Sequence, residues 1–139
     1  ITELRAGNYI FYDMIQVGLG SAEIENCALS VQGQVVSTPE RTRSVLDTGS
    51  KALGLDKGAH GNETTRGHGY MIGKKAVIDR LSEEHGIVIN EKDELEIGEK
   101  VRIIPNHACA VVNLYDKAYL VDGNVVIEEI AVEARGKSQ

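Results

Sequence analysis

The sequence predicts a mainly β domain, a single barrel or a sandwich-like domain with short helical segments. Three observations support this fold class. The 139 residues are enough for one domain with one hydrophobic core. Short apolar runs recur along the chain and are separated by glycine and polar turns. Only six residues are aromatic, so aliphatic side chains must fill the core. We therefore expect residues 1–139 to form one domain, either a closed or partly closed barrel or a sandwich.

The first third of the chain contains three predicted strands. Residues 9–12 are aromatic or aliphatic and predict a strand. Residues 14–20 predict one helical turn or a loop. Residues 27–37 predict a second strand with Gly33 as a candidate bulge. Residues 42–46 predict a third strand.

The middle of the chain is less regular. Glycines punctuate residues 51–69, which predicts an ordered loop. Residues 70–72 predict a short strand. In residues 76–84 the apolar side chains are spaced by three and four, which predicts a short helix. Residues 87–89 and 101–104 are apolar runs that predict strands.

The last third carries the clearest strand pattern. Residues 108–114, 118–121 and 125–132 all predict strands. The Asp-Gly-Asn sequence at 122–124 predicts a hairpin turn between the last two. Residues 135–139 predict a polar tail.

Charge and composition exclude several classes of function. The chain has 15 basic and 21 acidic residues, a net charge of −6, and an acidic surface repels nucleic acid. Its apolar runs are too short for a membrane span, and its start lacks a signal-peptide pattern. Cys27 is read as a core residue, and Cys27 and Cys109 are too few for a disulfide framework, so we expect reduced thiols in the cytoplasm. Because the chain begins at Ile1, we expect it to be part of a longer polypeptide.

The clearest candidate for chemistry is the His-x-Cys pair in residues 105–109 (PNHAC). In an extended chain, His107 and Cys109 point to the same side, about 6.6 Å apart at roughly 3.3 Å per residue. Imidazole and thiolate could then bind one zinc ion and leave positions open for water or substrate. The alternative is that Cys109 is a small buried hydrophobic residue and binds no metal.

Other polar residues have two interpretations each. Glu84 and His85 could transfer protons or support a metal ligand, or they could be the polar end of a helix. Residues 47–51 resemble a phosphate loop but lack its upstream glycine, which favours a tight turn with a surface lysine. His60 and His68 lie in the glycine-rich loop, where solvated histidines are more common than ligands.

Signatures of a complete active site are missing from the sequence. No lysine has a context that marks a Schiff base. There is no Gly-x-Ser-x-Gly elbow and no dinucleotide-binding fingerprint. The sequence alone therefore predicts part of an active site.

Four segments, in order, resemble the C-terminal domain of the D-serine dehydratase-like and D-threonine aldolase-like family. They span nearly the whole chain: residues 3–13 (ELRAGNYIFYD), 47–53 (DTGSKAL), 81–86 (LSEEHG) and 101–109 with 113–114. The family is similar to the fold-type III pyridoxal-phosphate enzymes typified by alanine racemase. In these enzymes an N-terminal α/β barrel carries the Schiff-base lysine and the cofactor. The resemblance implies that this chain is the C-terminal β domain alone and that it has no catalytic lysine or cofactor-binding residue of its own.

The resemblance also implies a metal pair and a substrate class. His107 and Cys109 match the family's two metal ligands. Dehydratase-like members have His-x-Cys and zinc, whereas aldolase-like members typically have aspartate second and a harder ion such as Mn²⁺. A thiolate favours Zn²⁺. The implied reaction is dehydration or retro-aldol cleavage of a D-β-hydroxy amino acid such as D-serine or D-threonine. The resemblance further implies a homodimer of the longer protein.

Two hypotheses from other classes remain open. One is a non-catalytic β-barrel binding module in which His107 and Cys109 are buried and bind no metal. The other is a stand-alone metallohydrolase with Glu84 as base, which would require a third protein ligand. Stoichiometric zinc would separate the metal-binding hypotheses from the first.

Overall fold

The computed structural model describes residues 1–4, 7–58, 65–91 and 94–137. Within these ranges six strands close an antiparallel barrel in the order β1-β2-β5-β4-β3-β6, and β6 pairs back to β1. The strands are β1 (Val31–Glu40), β2 (Arg43–Leu46), β3 (Tyr70–Met71), β4 (Ala76–Leu81), β5 (Gly86–Asn90) and β6 (Lys100–Ile104). The predicted mainly β fold, in its closed-barrel form, is confirmed.

A separate hairpin and three short helices complete the described fold. The hairpin pairs β7 (Lys117–Asp122) with β8 (Val125–Ala131) and turns at Gly123, whose φ of 59° suits glycine. The helices are α1 (Met14–Gly18), α2 (Ser50–Leu53) and α3 (Ala108–Val112), and a 3-10 turn spans Ile24–Asn26. Among the described residues, no helix is long and apolar enough to cross a membrane.

The barrel interior is aliphatic, as the composition predicted. Along β1 the buried residues Val31, Gly33 and Val35 alternate with the exposed Gln32 and Gln34. This period of two places one face of the strand in the core. The other strands add to the same interior, whose buried aliphatic members outside β1 include Leu46, Leu53, Met71, Ile78, Val88, Leu95, Val101, Ile103 and Val111.

The prediction of a helix at 76–84 is wrong, and a β-bulge explains why. This segment forms β4, which pairs with β5 and shifts register between Ile78 and Arg80. A bulge inserts one extra residue, so side chains three apart can share a face. Ile78 and Leu81 do so, because a Cβ placed on Gly86 would lie 3.4 Å from both side chains. The spacing that indicated a helix is therefore the signature of a bulged strand.

Two other local predictions are wrong. Residues 9–12 form a turn closed by a hydrogen bond from Tyr12 N–H to Asn8 O (3.0 Å), and Tyr12 has a positive φ of 50°. The irregularities in β1 lie between Val35 and Glu40, not at Gly33. Gly33 allows a close approach instead, because an added Cβ would lie 2.2 Å from Thr48 Oγ1.

Candidate metal site

The His-x-Cys pair lies at the beginning of a helix, so the predicted strand at 108–114 is wrong. His107 is the N-cap of α3, with extended backbone (φ −131°, ψ 99°), and Cys109 lies in its first turn. Val111 N–H donates to His107 O at 3.2 Å and closes that turn. The inferred 6.6 Å strand spacing therefore does not apply. Ala108 is fully buried between them, whereas His107 is half-buried and Cys109 is exposed.

The exposure of both side chains distinguishes a pair of accessible ligands from a pair of buried core residues. A cysteine that only filled core space would be buried, but the Cys109 thiol is free and exposed. The reading of His107 and Cys109 as buried core residues is therefore wrong. Both donor groups can be reached from outside the barrel.

A buried carboxylate fixes the backbone around the pair. Asp13 is fully buried and caps α1 by accepting from Gln16 N–H (3.1 Å). Its other oxygen, Oδ2, accepts from Ala108 N–H (2.8 Å) and from the side-chain amide of Asn8. One side chain thus satisfies free donors at the beginnings of both α1 and α3.

Backbone hydrogen bonds extend this junction on either side. Met14 N–H donates to Pro105 O at 3.1 Å, and Ile15 N–H donates to Asn106 O at 3.2 Å. The beginning of α1 is therefore hydrogen-bonded to the segment that leads into His107. This junction, rather than sheet pairing, sets the backbone path at the candidate ligands.

A second carboxylate contacts the candidate histidine directly. Asp56 Oδ2 lies 2.5 Å from His107 Nδ1, and both side chains are about half exposed, at 48% and 41%. Metal-binding histidines commonly donate one ring N–H to a carboxylate while the other nitrogen binds the metal. With a thiol nearby in sequence, the donor set of imidazole nitrogen and sulfur suits zinc. The described residues therefore offer two ligands of the types that zinc accepts.

An open cleft of about 570 Å³ adjoins the segment before His107. Its lining includes Met14, Arg66, Tyr70 and Asn106. The Asn106 carboxamide oxygen is buried and has no hydrogen-bond partner among the described residues. A polar group in this state is available to a bound molecule or to water.

His68 is buried, so the expectation of a solvated loop histidine is wrong for it. It is 7% exposed, and its Nδ1 lacks a partner among the described residues. Burial lowers the pKa of His68, and the nearby Lys57 lowers it further, while Asp79 acts in the opposite direction. Burial therefore favours the neutral form of the His68 imidazole. The other loop histidine, His60, lies outside the described residues.

The segments 47–53 and 81–86, singled out in the sequence, meet in space. Lys51 Nζ lies 2.6 Å from a Glu84 carboxylate oxygen and 3.0 Å from one of Glu83. Hydrogen bonds to Glu84 and Glu83 raise the pKa of Lys51. The two segments therefore form one exposed joint, with α2 leading from it toward Asp56.

The structure also tests the sequence-based interpretations of single residues in and near these segments. Glu84 and His85 lie in the turn between β4 and β5, not at a helix end, and His85 is exposed. Lys51 is a surface residue, as predicted, and it lies in the short helix α2, which begins after Gly49. Cys27 is half-buried after the 3-10 turn, and burial, with Asp13 and Glu25 nearby, raises its pKa. It is therefore only partly a core residue.

The described residues contain no group of three or more histidine, cysteine, aspartate or glutamate side chains that could hold a metal ion. The candidate site within this part of the chain thus offers two ligands. Sequence reasoning missed the contributions of Asp13 and Asp56, which lie 95 and 51 residues from their partners. Asp56 follows the 47–53 segment closely, which is the signal that could have drawn attention to it.

Comparison with known proteins identifies the family. The family model described as "Putative serine dehydratase domain" matches residues 28–121, which include the barrel and the His-x-Cys pair. The chain belongs to this family. Among the proteins similar to this chain is an uncharacterized protein of Mycobacterium tuberculosis, 37% identical over 133 residues, which cover 91% of this chain and 97% of that protein.

Relatives of known activity are longer. The D-threo-3-hydroxyaspartate dehydratase of Delftia sp. is 29% identical over 142 residues, covering 90% of this chain but 37% of that enzyme. The serine dehydratase domain thus spans about a third of the length of such relatives. A solved D-threonine aldolase from Filomicrobium marinum superposes with a TM-score of 0.77 at 27% identity, covering 94% of this chain and 35% of that one.

Two solved variants of a D-threo-3-hydroxyaspartate dehydratase are informative about that enzyme's metal. A histidine-to-alanine variant superposes on this serine dehydratase domain with a TM-score of 0.84 at 25% identity, covering 94% of this chain and 38% of that one. A cysteine-to-alanine variant, changed two positions further along, is described as the metal-free form and superposes with a TM-score of 0.81. In that enzyme a histidine and a cysteine therefore have the same spacing as His107 and Cys109.

Proposed function

We propose that this domain supplies the metal site of a pyridoxal-phosphate-dependent lyase that acts on D-β-hydroxy amino acids. His107 and Cys109 would hold the metal, and the softness of the thiolate favours zinc over Mn²⁺. The observation that carries the proposal is the accessible His-x-Cys pair whose imidazole is backed by a carboxylate, 2.5 Å from His107 Nδ1. A zinc ion bound there would supply Lewis-acid polarisation of a substrate oxygen.

The residues of this chain have separable tasks in the proposal. His107 offers a ring nitrogen, and Cys109 offers a sulfur that binds metal as thiolate. Asp13 keeps the beginning of α3 in place, because it accepts from Ala108 N–H between the two ligands. Asn106 lines the adjacent cleft, and its side-chain oxygen is buried without a partner among the described residues. With two protein ligands, coordination positions remain for the substrate or for water.

We favour dehydration of D-serine or of a 3-hydroxy-D-amino acid over retro-aldol cleavage. The support is Cys109, since the dehydratase resemblance has cysteine where aldolase-like members have aspartate. Both reactions need the β-hydroxyl to be polarised, so the domain is compatible with either. The alternative from another class is a metal-free binding module.

We further propose that the exposed hairpin packs against the cofactor-bearing barrel domain of a longer chain. Strand β8 is exposed at every position and β7 at every position except the half-buried Ala118, and Val125 and Ile127 are 63% and 59% exposed. An isolated two-stranded hairpin with apolar side chains on its surface is marginal in water. Relatives such as the Delftia enzyme have the additional length that such a domain requires. We propose that the longer chain is cytoplasmic and forms a homodimer. Light scattering tests the homodimer, because it measures the molar mass of the particle in solution.

The proposal is tested by measuring zinc and activity together. The protein joined to its cofactor-bearing domain is purified as wild type, His107→Ala and Cys109→Ala. Elemental analysis gives zinc per chain, and assays with D-serine and D-threonine give dehydration and aldol cleavage. We expect about one zinc per chain in the wild type and loss of both zinc and dehydration in each variant.

The matched control is Cys27→Ala, which removes the other free thiol, outside the site. It should retain zinc and activity. Stoichiometric zinc with cleavage of D-threonine alone would favour the aldolase reaction. Absence of zinc, or dehydration that is unchanged in both ligand variants, would support the metal-free binding module instead.

A further inference from the structure

The contact between Asp56 and His107 determines which imidazole nitrogen is free. A carboxylate oxygen only accepts hydrogen bonds, so the proton in the 2.5 Å contact lies on His107 Nδ1. Neutral imidazole carries one ring proton, so Nε2 then has the lone pair. Without the carboxylate, either ring nitrogen could carry the proton. Asp56 therefore selects the tautomer.

The segment that carries Asp56 is anchored beside His107. Asn106, the residue before His107, is 2% exposed and donates through Nδ2 to Asp56 O (2.8 Å) and Gly67 O (2.9 Å). The backbone of Asp56 is thus bound to the neighbour of the histidine that its side chain contacts.

A second anchor holds the preceding helix. The Tyr115 hydroxyl donates to Ala52 O at 3.1 Å, which joins α2 to the segment that follows α3. Burial raises the pKa of Tyr115, so its hydroxyl stays protonated and can donate. Because α2 leads into the segment that carries Asp56, this bond limits how far the carboxylate can move from His107.

We propose that Asp56 is a positioning residue that orients His107 and reserves Nε2 for the metal. The metal part of this inference rests on the proposed function, whereas the tautomer part does not. Partners of this kind typically change metal affinity by about 10- to 100-fold when removed.

The tautomer is measured first, on metal-free protein near pH 8, where free imidazole is neutral. Long-range ¹H–¹⁵N NMR correlations distinguish protonation on Nδ1 from protonation on Nε2, and the spectrum of His107→Ala assigns the signals. We expect Nδ1–H in the wild type and a shift toward Nε2–H in Asp56→Ala. Asp56→Asn replaces the acceptor-only carboxylate with an amide that can also donate to Nδ1, so it should lose the strict Nδ1–H preference as well. A role in stability alone would not move the tautomer.

Zinc affinity is measured second, by competition with a chromophoric chelator. Asp56→Ala should bind zinc about 10- to 100-fold more weakly, with Asp56→Asn between it and the wild type. Asp122→Asn, the same charge change at the exposed end of β7, is the control and should bind as the wild type does.

The outcomes separate the two claims. Nε2–H in the wild type, or unchanged zinc affinity in Asp56→Ala, would overturn the positioning role. A wild type that binds no zinc would overturn the proposed metal site, while the tautomer measurement would still decide whether Asp56 orients His107.

Discussion

Replacing Asp13 with alanine should destabilise the fold by about 2–4 kcal/mol. The carboxylate is fully buried and accepts from Gln16 N–H, Ala108 N–H and the Asn8 amide. Loss of an N-cap costs about 1 kcal/mol, and leaving a buried donor such as Ala108 N–H unpaired costs about 1–3 kcal/mol more. Asp13→Asn keeps the shape and one acceptor oxygen, so a smaller loss is expected.

Urea unfolding followed by circular dichroism measures this change. With an m-value of about 2 kcal/mol per molar urea, the midpoint of Asp13→Ala should fall by about 1–2 M. Asp116→Ala is the matched control, because it removes an exposed carboxylate (82%) whose ion pair with Arg135 is worth about 0–1 kcal/mol. A loss in Asp13→Ala no larger than that of the control would refute the structural role of the shared cap.

Two further predictions concern the joint and the buried histidine. Gly49→Ala should lower the free energy of unfolding by about 1–3 kcal/mol, because the added Cβ would lie 2.4 Å from the backbone oxygen of Glu83. The control is Gly7→Ala, which has open space around it and should leave the urea midpoint nearly unchanged. His68 has a folded-state pKa below its usual 6.5, so the unfolded chain binds more protons as the pH falls below 6.5. The stability that neutral His68 contributes should be complete above pH 6.5 and should decline below it. His68→Gln should therefore make the free energy of unfolding less dependent on pH below 6.5. An identical pH dependence in the variant would contradict the lowered pKa of His68.

The barrel was predictable because its strands follow a local rule. Alternation of buried and exposed positions along β1 is visible in the residues themselves, and glycine marks the β7–β8 turn. The failure at β4 has a local cause as well. One bulge between Ile78 and Arg80 changes the period, and single-sequence spacing cannot distinguish a bulged strand from a short helix.

The helix at the candidate site was not predictable from nearby residues. Val111 and Val112 have high strand propensity, yet the chain turns into α3 after His107. The residue that satisfies the first helical donor is Asp13, 95 positions earlier. The sequence was enough to single out His107 and Cys109 as candidate ligands. It could not reveal Asp13 and Asp56, because they are distant in sequence and lie near the ligands only in the folded chain.

The most direct test of the account is zinc X-ray absorption on the protein joined to the cofactor-bearing domain proposed above. The account predicts one sulfur at about 2.3 Å and nitrogen or oxygen neighbours at about 2.0–2.1 Å from the zinc. The sulfur should disappear in Cys109→Ala and remain in Cys27→Ala. A zinc environment without sulfur, or a sulfur signal that persists in Cys109→Ala, would contradict the assignment of His107 and Cys109 as the metal ligands.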